Sequence, residues 1–275
     1  MSGWSQLHSQ VAGGGDARSP VAVERPRARA PRGAELVRLR LPDRTGSLAA
    51  VTGQLASHGV DVLRLDVVDR GPGGAVDDFL LSGGEIDAAL ATLTGKAILL
   101  GRRAGVDLRD PGLEMAAACE AVTTARSTTS LCAALVRAAL SLVFAEAGLL
   151  FADREPGVLA ILASSVTGLP VVLDGSGNSL IASAFFCCQP LTADGRIPWA
   201  PATLRELLPE GSVAVVPSGE PASLALALVR ADHAPFVAAE LDRLSALMRV
   251  AAGALQLHDT TVARNRIRTL PEMSA

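Results

Sequence analysis

Between Leu36 and Leu81 the apolar positions change period several times. Val37, Leu39 and Leu41 alternate with Arg38 and Arg40, the two-residue period of a strand with both arginines on one face and the aliphatic residues on the other. Pro42 removes a backbone donor and ends that ladder. Leu48, Val51 and Leu55 then recur at helical spacing. Asp43 is placed to cap this helix, Gly46 permits a close backbone approach, and Gly59, after His58, suits a left-handed helix end. From Val62 to Val68 the period returns to two, with Leu63, Leu65 and Val67 opposite Arg64 and Asp66. Gly71-Pro72-Gly73-Gly74 turns the chain into a third strand. Its adjacent Asp77 and Asp78 alternate across the strand, which argues against a shared metal. Ile86, Leu90 and Leu93 mark a second helix and Ala97-Ile98-Leu99-Leu100 a fourth strand, which completes an α+β unit.

Arg109-Asp110-Pro111-Gly112 breaks the pattern, and a helical stretch from Leu113 to about Ala145 follows, interrupted near Ser127–Ser130. Leu131, Leu135 and Leu142, with Ala138 and Ala139, form one apolar face of it. Gly148–Ala152 and Val158–Ser164 read as a hairpin. Next come a short buried helix over Ser179–Cys188, a looping passage from Gln189 to Gly195, a short helix over Ala202–Leu208, and strands at Val213–Val216 and Leu224–Arg230. Pro235-Phe236 opens a long helix to about Leu257, with Leu241, Leu244, Leu247, Met248 and Ala251 at helical spacing.

At 275 residues and 49% hydrophobic content the chain has the length and apolar content for two domains. Aromatic residues are 3%, so the cores are built from Leu, Val and Ala. A net charge of −3 argues against a general nucleic-acid binder. The first 33 residues are rich in Gly, Ser, Pro and Arg and read as a disordered basic arm, either an electrostatic tether or a plain solvated segment. Neither a secretory signal nor an apolar run of membrane-spanning length is present, so a cytoplasmic location with reduced thiols is expected. Cys119, Cys132, Cys187 and Cys188 do not match zinc spacing; Cys187-Cys188 reads as a redox pair or, more simply, as small apolar residues on a buried helix. No GxSxG elbow, P-loop or HExxH motif occurs, and His8, His58, His233 and His258 fall in different elements. Asp174-Gly175-Ser176-Gly177-Asn178 lacks the Lys of a phosphate loop and reads as a turn.

The stretch LPDRTGSLAAVTGQLASHGVDVLRLDV at Leu41–Val67 resembles the ACT domain family, over about a quarter of the chain. Its loop Asp43-Arg44-Thr45-Gly46 and strand start Gly59-Val60-Asp61-Val62 carry the resemblance. The family implies a βαββαβ, ferredoxin-like module that pairs through its sheet and often binds amino acids at the pairing interface. In amino-acid-binding members an Asn of the loop and an Asn of the next strand start hold the ligand; Asp43 and Asp61 stand there in this chain. Ionised Asp accepts but does not donate, which suits an ammonium or guanidinium group or a purely structural role. The candidate ligand site is therefore Asp43, Arg44, Thr45, Gly46, Ser47, Leu48 and Asp61, with the amides of Thr45, Gly46 and Ser47 opening a helix toward an anionic group.

The order of elements after Leu113, and SLALALVRADHAPFVAAELDRLSALMRVAAGAL at Ser223–Leu255, resemble the GAF domain family. That implies a central antiparallel sheet flanked by helices, with a pocket that in many members holds a small ligand. Residues Ser164, Ser165 and Thr167 are candidates for its lining, and no chromophore, haem or other cofactor attachment is evident. The expected organisation is a basic arm over 1–33, an ACT domain over 34–108, a GAF-like domain over 113–258 and a polar tail over 259–275. The expected function is a non-enzymatic, homodimeric sensor of a small molecule, an amino acid by the ACT resemblance, that acts on an unidentified output protein. Two alternatives are a ligand-free interaction module and an enzyme built around Asp174, Asp194, His233 or a cysteine in the second pocket.

Overall fold

The structure, a computed structural model, describes residues 33–268 apart from 72, 106–109, 156–157, 168–171, 175–179, 188, 194–210, 220–223 and 232–233. Two antiparallel sheets organise it. The first unit runs β1 (Glu35–Leu41), α1 (Ser47–Ser57), β2 (Asp61–Gly71), β3 (Gly74–Ser82), α2 (Ile86–Ala91) and β4 (Ile98–Ala104), with strand order β2-β3-β1-β4. The alternation in β1 decides how this sheet is used. Val37, Leu39 and Leu41 face α1 and α2 and join Val51, Leu55, Phe79 and Leu81 in one core. Gly74 takes φ +109° in the β2–β3 turn, where a Cβ would lie 2.1 Å from the Leu41 carbonyl oxygen, so only glycine fits.

The second unit runs α3 (Pro111–Thr123), α4 (Thr128–Val143), β5 (Ala147–Glu155), β6 (Val158–Ser164), β7 (Val172–Asp174), α5 (Leu180–Cys187), β8 (Leu191–Ala193), β9 (Ser212–Pro217), β10 (Leu224–Arg230) and α6 (Ala238–Arg268). Its six strands lie in the order β7-β6-β5-β10-β9-β8. Both faces of β10 are buried: Leu224, Leu226 and Leu228 join α3, α4 and α6 on one side, while Ala225, Ala227 and Val229 meet α5 on the other. The break within the first helical stretch is a capping box, in which Ser127 accepts the Ser130 amide and Ser130 Oγ accepts the Ser127 amide. Asp110 caps α3 by accepting the amides of Gly112 and Leu113.

Three expectations are corrected. The passage from Gln189 to Gly195 is not all loop, because Leu191–Ala193 pairs with β9. Asp43 does not cap α1; the chain makes a further turn, Gly46 takes the N-cap position with φ +88°, and among the described residues no side chain caps the helix. Cys187 is exposed on α5, whereas Cys132 is buried on α4. The predicted helix at Ala202–Leu208, Cys188 and the arm over 1–32 lie outside the described residues.

The two units meet closely where β4 passes Ala234. A Cβ on Gly101 would lie 2.4 Å from the Ala234 Cβ, at a point where the β1–β4 register shifts. Gly101→Ala is expected to lower stability by about 1–3 kcal/mol through overpacking, and Ala234→Gly in the same chain to recover most of it, as read by urea denaturation.

Candidate functional site

The polar face of β1 is not a solvent face. Arg38 is 6% exposed because that side of the first sheet packs against the start of α6. Its guanidinium grips Asp78 on the neighbouring strand β3 in a fork, Nε to Oδ1 at 2.7 Å and Nη2 to Oδ2 at 2.8 Å. It then crosses to the second unit, with Nη2 donating to Glu240 Oε1 at 2.9 Å and Nη1 to Glu240 Oε2 at 3.1 Å. Glu240 also receives Arg230 Nη2 at 2.9 Å and the Val237 amide at 3.1 Å, so it caps α6 while joining two arginines. Arg230, at the end of β10, donates further to the carbonyls of Ala234, Pro235 and Val143 and lies 4.1 Å from the centre of the Phe236 ring. Two guanidiniums and two carboxylates thus form a neutral, buried cluster across the junction.

Burial alone would push the Arg38 pKa down and the Glu240 pKa up. The partners outweigh it: Asp78 and Glu240 hold Arg38 firmly charged, and Arg38 and Arg230 hold Glu240 below the ordinary glutamate range. A second latch lies alongside. Arg103 of β4 pairs with Glu146 at 2.6 Å, donates to the Phe144 carbonyl, and lies 5.8 Å from the Phe144 ring centre. Phe144 caps α4 in the left-handed region at φ 52°, a conformation that costs a non-glycine residue about 1–2 kcal/mol.

Beside these latches lies a cavity of about 320 Å³, walled by both units. The first unit contributes Leu36, Arg38, Arg64, Asp66, Asp78 and Leu80. The second contributes Glu114, Ser141, Leu142, Phe144, Glu240 and Arg243. Arg64 and Asp66 pair with one another at 2.7 Å, and Ser141 Oγ donates to Glu114 at 3.1 Å. The volume is at the lower end of the range for small-molecule sites, and the walls alternate apolar surface with a few fixed charges.

None of the loop residues singled out in the sequence borders this cavity. Asp43, Arg44, Thr45, Gly46 and Leu48 are exposed at one end of the first sheet, with Ser47 half-buried beside them. Of the three amides expected to face an anion, that of Ser47 is taken by the Arg44 carbonyl at 3.2 Å, and α1 begins only at Ser47. Asp61 pairs with Ser82 beyond the Glu35–Leu81 pair, whereas Asp43 follows Leu41, which pairs with Ala75. Six strand steps, about 20 Å, separate those two ends, so one chain cannot close Asp43 and Asp61 on one ligand. Asp77 and Asp78 do point to opposite faces; Asp77 is 4% exposed, its Oδ1 has no hydrogen-bond partner among the described residues, and burial pushes its carboxyl up. Ser164 and Ser165 tie their own loop, to Val166 and to the Gly148 amide, and Thr167 is exposed. The side chain of Asp174, and Asp194 and His233, lie outside the described residues, among which no cluster of His, Cys, Asp and Glu could hold a metal ion.

No protein-family model matches the chain, and no curated protein is similar to it. Among solved structures, the chain is similar over about half of its length to GAF domains. The GAF domain of an Acinetobacter phosphoenolpyruvate-protein phosphotransferase covers 56% of this chain and 97% of its own, at 12% identity and a TM-score of 0.47. Free methionine-R-sulfoxide reductase from Neisseria meningitidis covers 56% of this chain and 95% of its own, at 12% identity and a TM-score of 0.48. The GAF-B domain of DevS from Mycobacterium smegmatis covers 50% of this chain and 99% of its own, at 19% identity and a TM-score of 0.42. At these identities and TM-scores the likenesses assign no ligand and no chemistry to this chain. Among the described residues no helix is long and apolar enough to cross a membrane.

A carboxyl whose folded-state pKa is depressed stabilises the fold above its unfolded value, and that contribution is lost as pH falls through the folded value. The Glu240 latch is therefore expected to be intact at neutral pH and to weaken from about pH 4.3 downward. Glu240→Gln is expected to cost about 3 kcal/mol at pH 7 and to flatten the acid limb of the stability–pH curve, measured by urea denaturation between pH 3 and 8.

Proposed function

We propose that this chain is a small-molecule-binding regulatory protein, an ACT domain joined to a GAF-like domain, in which the ligand sits in the cavity between the two. The observation that carries the reading is the placement of that cavity: both units wall it, next to the ionic cluster that joins them. A ligand seated there touches both units at once and favours whichever relative arrangement it fits better, which is what a regulatory ligand must do. The reading is non-enzymatic because the charged groups of the wall are largely engaged with one another rather than held ready for proton or group transfer. The signal passes to an output partner through the joined units.

A second observation supports homodimerisation. Strand β2 is an edge of the first sheet, and its Val62, Leu63 and Val67 are 36%, 39% and 50% exposed. Two copies joined antiparallel along β2, as a two-fold axis requires, bring Asp61 of one toward the end of the sheet where Asp43 of the other lies. In this second reading an amino acid, the ligand class that the ACT resemblance implies, binds in the loop site, which is complete only in the pair.

A thermal-shift panel of amino acids, polyamines, cyclic nucleotides and 2-oxo acids separates the readings. At a hundredfold excess over Kd a ligand of the folded state adds about 2.7 kcal/mol, a rise in Tm of roughly 5 °C or more. A selective rise lost in Ala239→Leu, a half-buried wall residue of α6 whose enlargement fills the cavity, is the expected result. A rise that survives Ala239→Leu and disappears in Asp61→Ala places the ligand in the paired loops instead. A flat panel with a dimeric mass in solution favours an interaction module over a sensor.

A further inference from the structure

We infer that the cavity between the units seats a small apolar monocarboxylate that carries no ammonium group, held by Arg243; this rests on the reading of the cavity as the ligand seat. The hydrogen bonds of the wall decide which side chain has donors to offer. Arg38 places its Nε and both Nη atoms on Asp78, Glu240 and the Pro235 carbonyl. Arg64 closes its Nε and Nη2 on Asp66. Arg243 differs. It lines the cavity from α6, is half-buried, and its Nε donates to the carbonyl of Ala239, one turn back in its own helix, at 3.2 Å. That bond steadies the guanidinium, while Nη1 and Nη2 make no hydrogen bond among the described residues. The two oxygens of a carboxylate accept such a pair of parallel N–H groups and match their charge.

The carboxylates of the wall argue against a ligand ammonium. Asp66 is held by Arg64, Asp78 by Arg38, and Glu240 by Arg38 and Arg230. Glu114 accepts the Ser141 hydroxyl and is engaged elsewhere as well. An ammonium group entering the cavity gives up its water and has to share acceptors that already have donors. The rest of the wall sets size and polarity. Leu36, Val67, Leu80, Leu142 and Phe144 give the ligand an apolar bed. At roughly 30 Å³ per water, 320 Å³ corresponds to about ten waters, which suits a ligand of about eight to twelve non-hydrogen atoms. A compact dianion such as phosphate is disfavoured, because Asp66, Asp78, Glu114 and Glu240 border the same space and repel a second negative charge.

The test is calorimetric titration of the full chain with 3-phenylpropanoate and 4-methylpentanoate. Phenylalanine and leucine add an ammonium group to the same two skeletons, 3-phenylpropanamide removes the charge, and inorganic phosphate removes the apolar body. At least one of the two acids is expected to bind, roughly tenfold or more tightly than its amino acid, the amide or phosphate. Arg243→Gln is expected to weaken that acid roughly ten- to hundredfold with no change in Tm of the free protein, because the only bond lost is one within α6. An amino acid, the amide or phosphate binding as tightly as the acids, unchanged affinity in Arg243→Gln, or no binding by either acid overturns the inference. Ala239→Leu separates this inference from the reading beneath it. Acid binding that survives Ala239→Leu contradicts the cavity itself as the seat. Binding lost in Ala239→Leu but indifferent to Arg243→Gln leaves the cavity standing and overturns the assigned ligand chemistry.

Discussion

Arg38 is a guanidinium in the middle of a β-strand, on a face that the start of α6 covers, and it survives there only because Glu240 and Asp78 meet it. Stripping water from a charge of that size costs several kcal/mol, and bidentate pairing on two sides is what offsets the penalty. Once Arg38 is buried, much else is constrained. Glu240 has to sit in the first turn of α6, α6 has to start beside β1, and Arg230 has to share the carboxylate and tie down the carbonyls of Ala234 and Pro235. Gly101 then lets β4 come close enough to Ala234 for the arginine to reach.

A junction held by ions differs from one held by grease. Apolar faces tolerate sliding, whereas a fork-to-carboxylate contact has one good register and loses most of its energy when displaced by about an ångström. The cavity beside the cluster therefore has walls of defined spacing, with Phe144 fixed in a left-handed conformation and held through its carbonyl by Arg103. A ligand that alters the fit there works directly on the contacts that set how the two units stand.

Much of this architecture is legible in the residues themselves. The alternation in β1, the helical spacing of Leu48, Val51 and Leu55, the break at Arg109–Gly112 before a helix and the strand at Leu224–Arg230 are local, and local patterns report local structure. The site is less legible for the same reason. Arg38 and Glu240 lie 202 positions apart, and nothing near Arg38 distinguishes a buried arginine from the exposed Arg of an ordinary outer face. The one available signal was at the other end: Glu240 three residues after Val237 has capping-box spacing, which marks it as a carboxylate committed to a helix start. Asp43 misled because Asp is a strong capping residue, yet the extra turn through Thr45 and Gly46 carries the helix start beyond its reach. Strand β8 is three residues long and too short to show a period.

The most direct test is a double-mutant cycle between Arg38 and Glu240, each changed to Met singly and together, followed by urea denaturation at pH 7. If the pair is the contact on which the junction depends, each single change strands a buried charge and costs several kcal/mol, while the double change costs much less than their sum, with a coupling of about 2 kcal/mol or more. Additive losses within about 0.5 kcal/mol would show that the two side chains do not act on one another, and the junction would then have to be explained by packing alone.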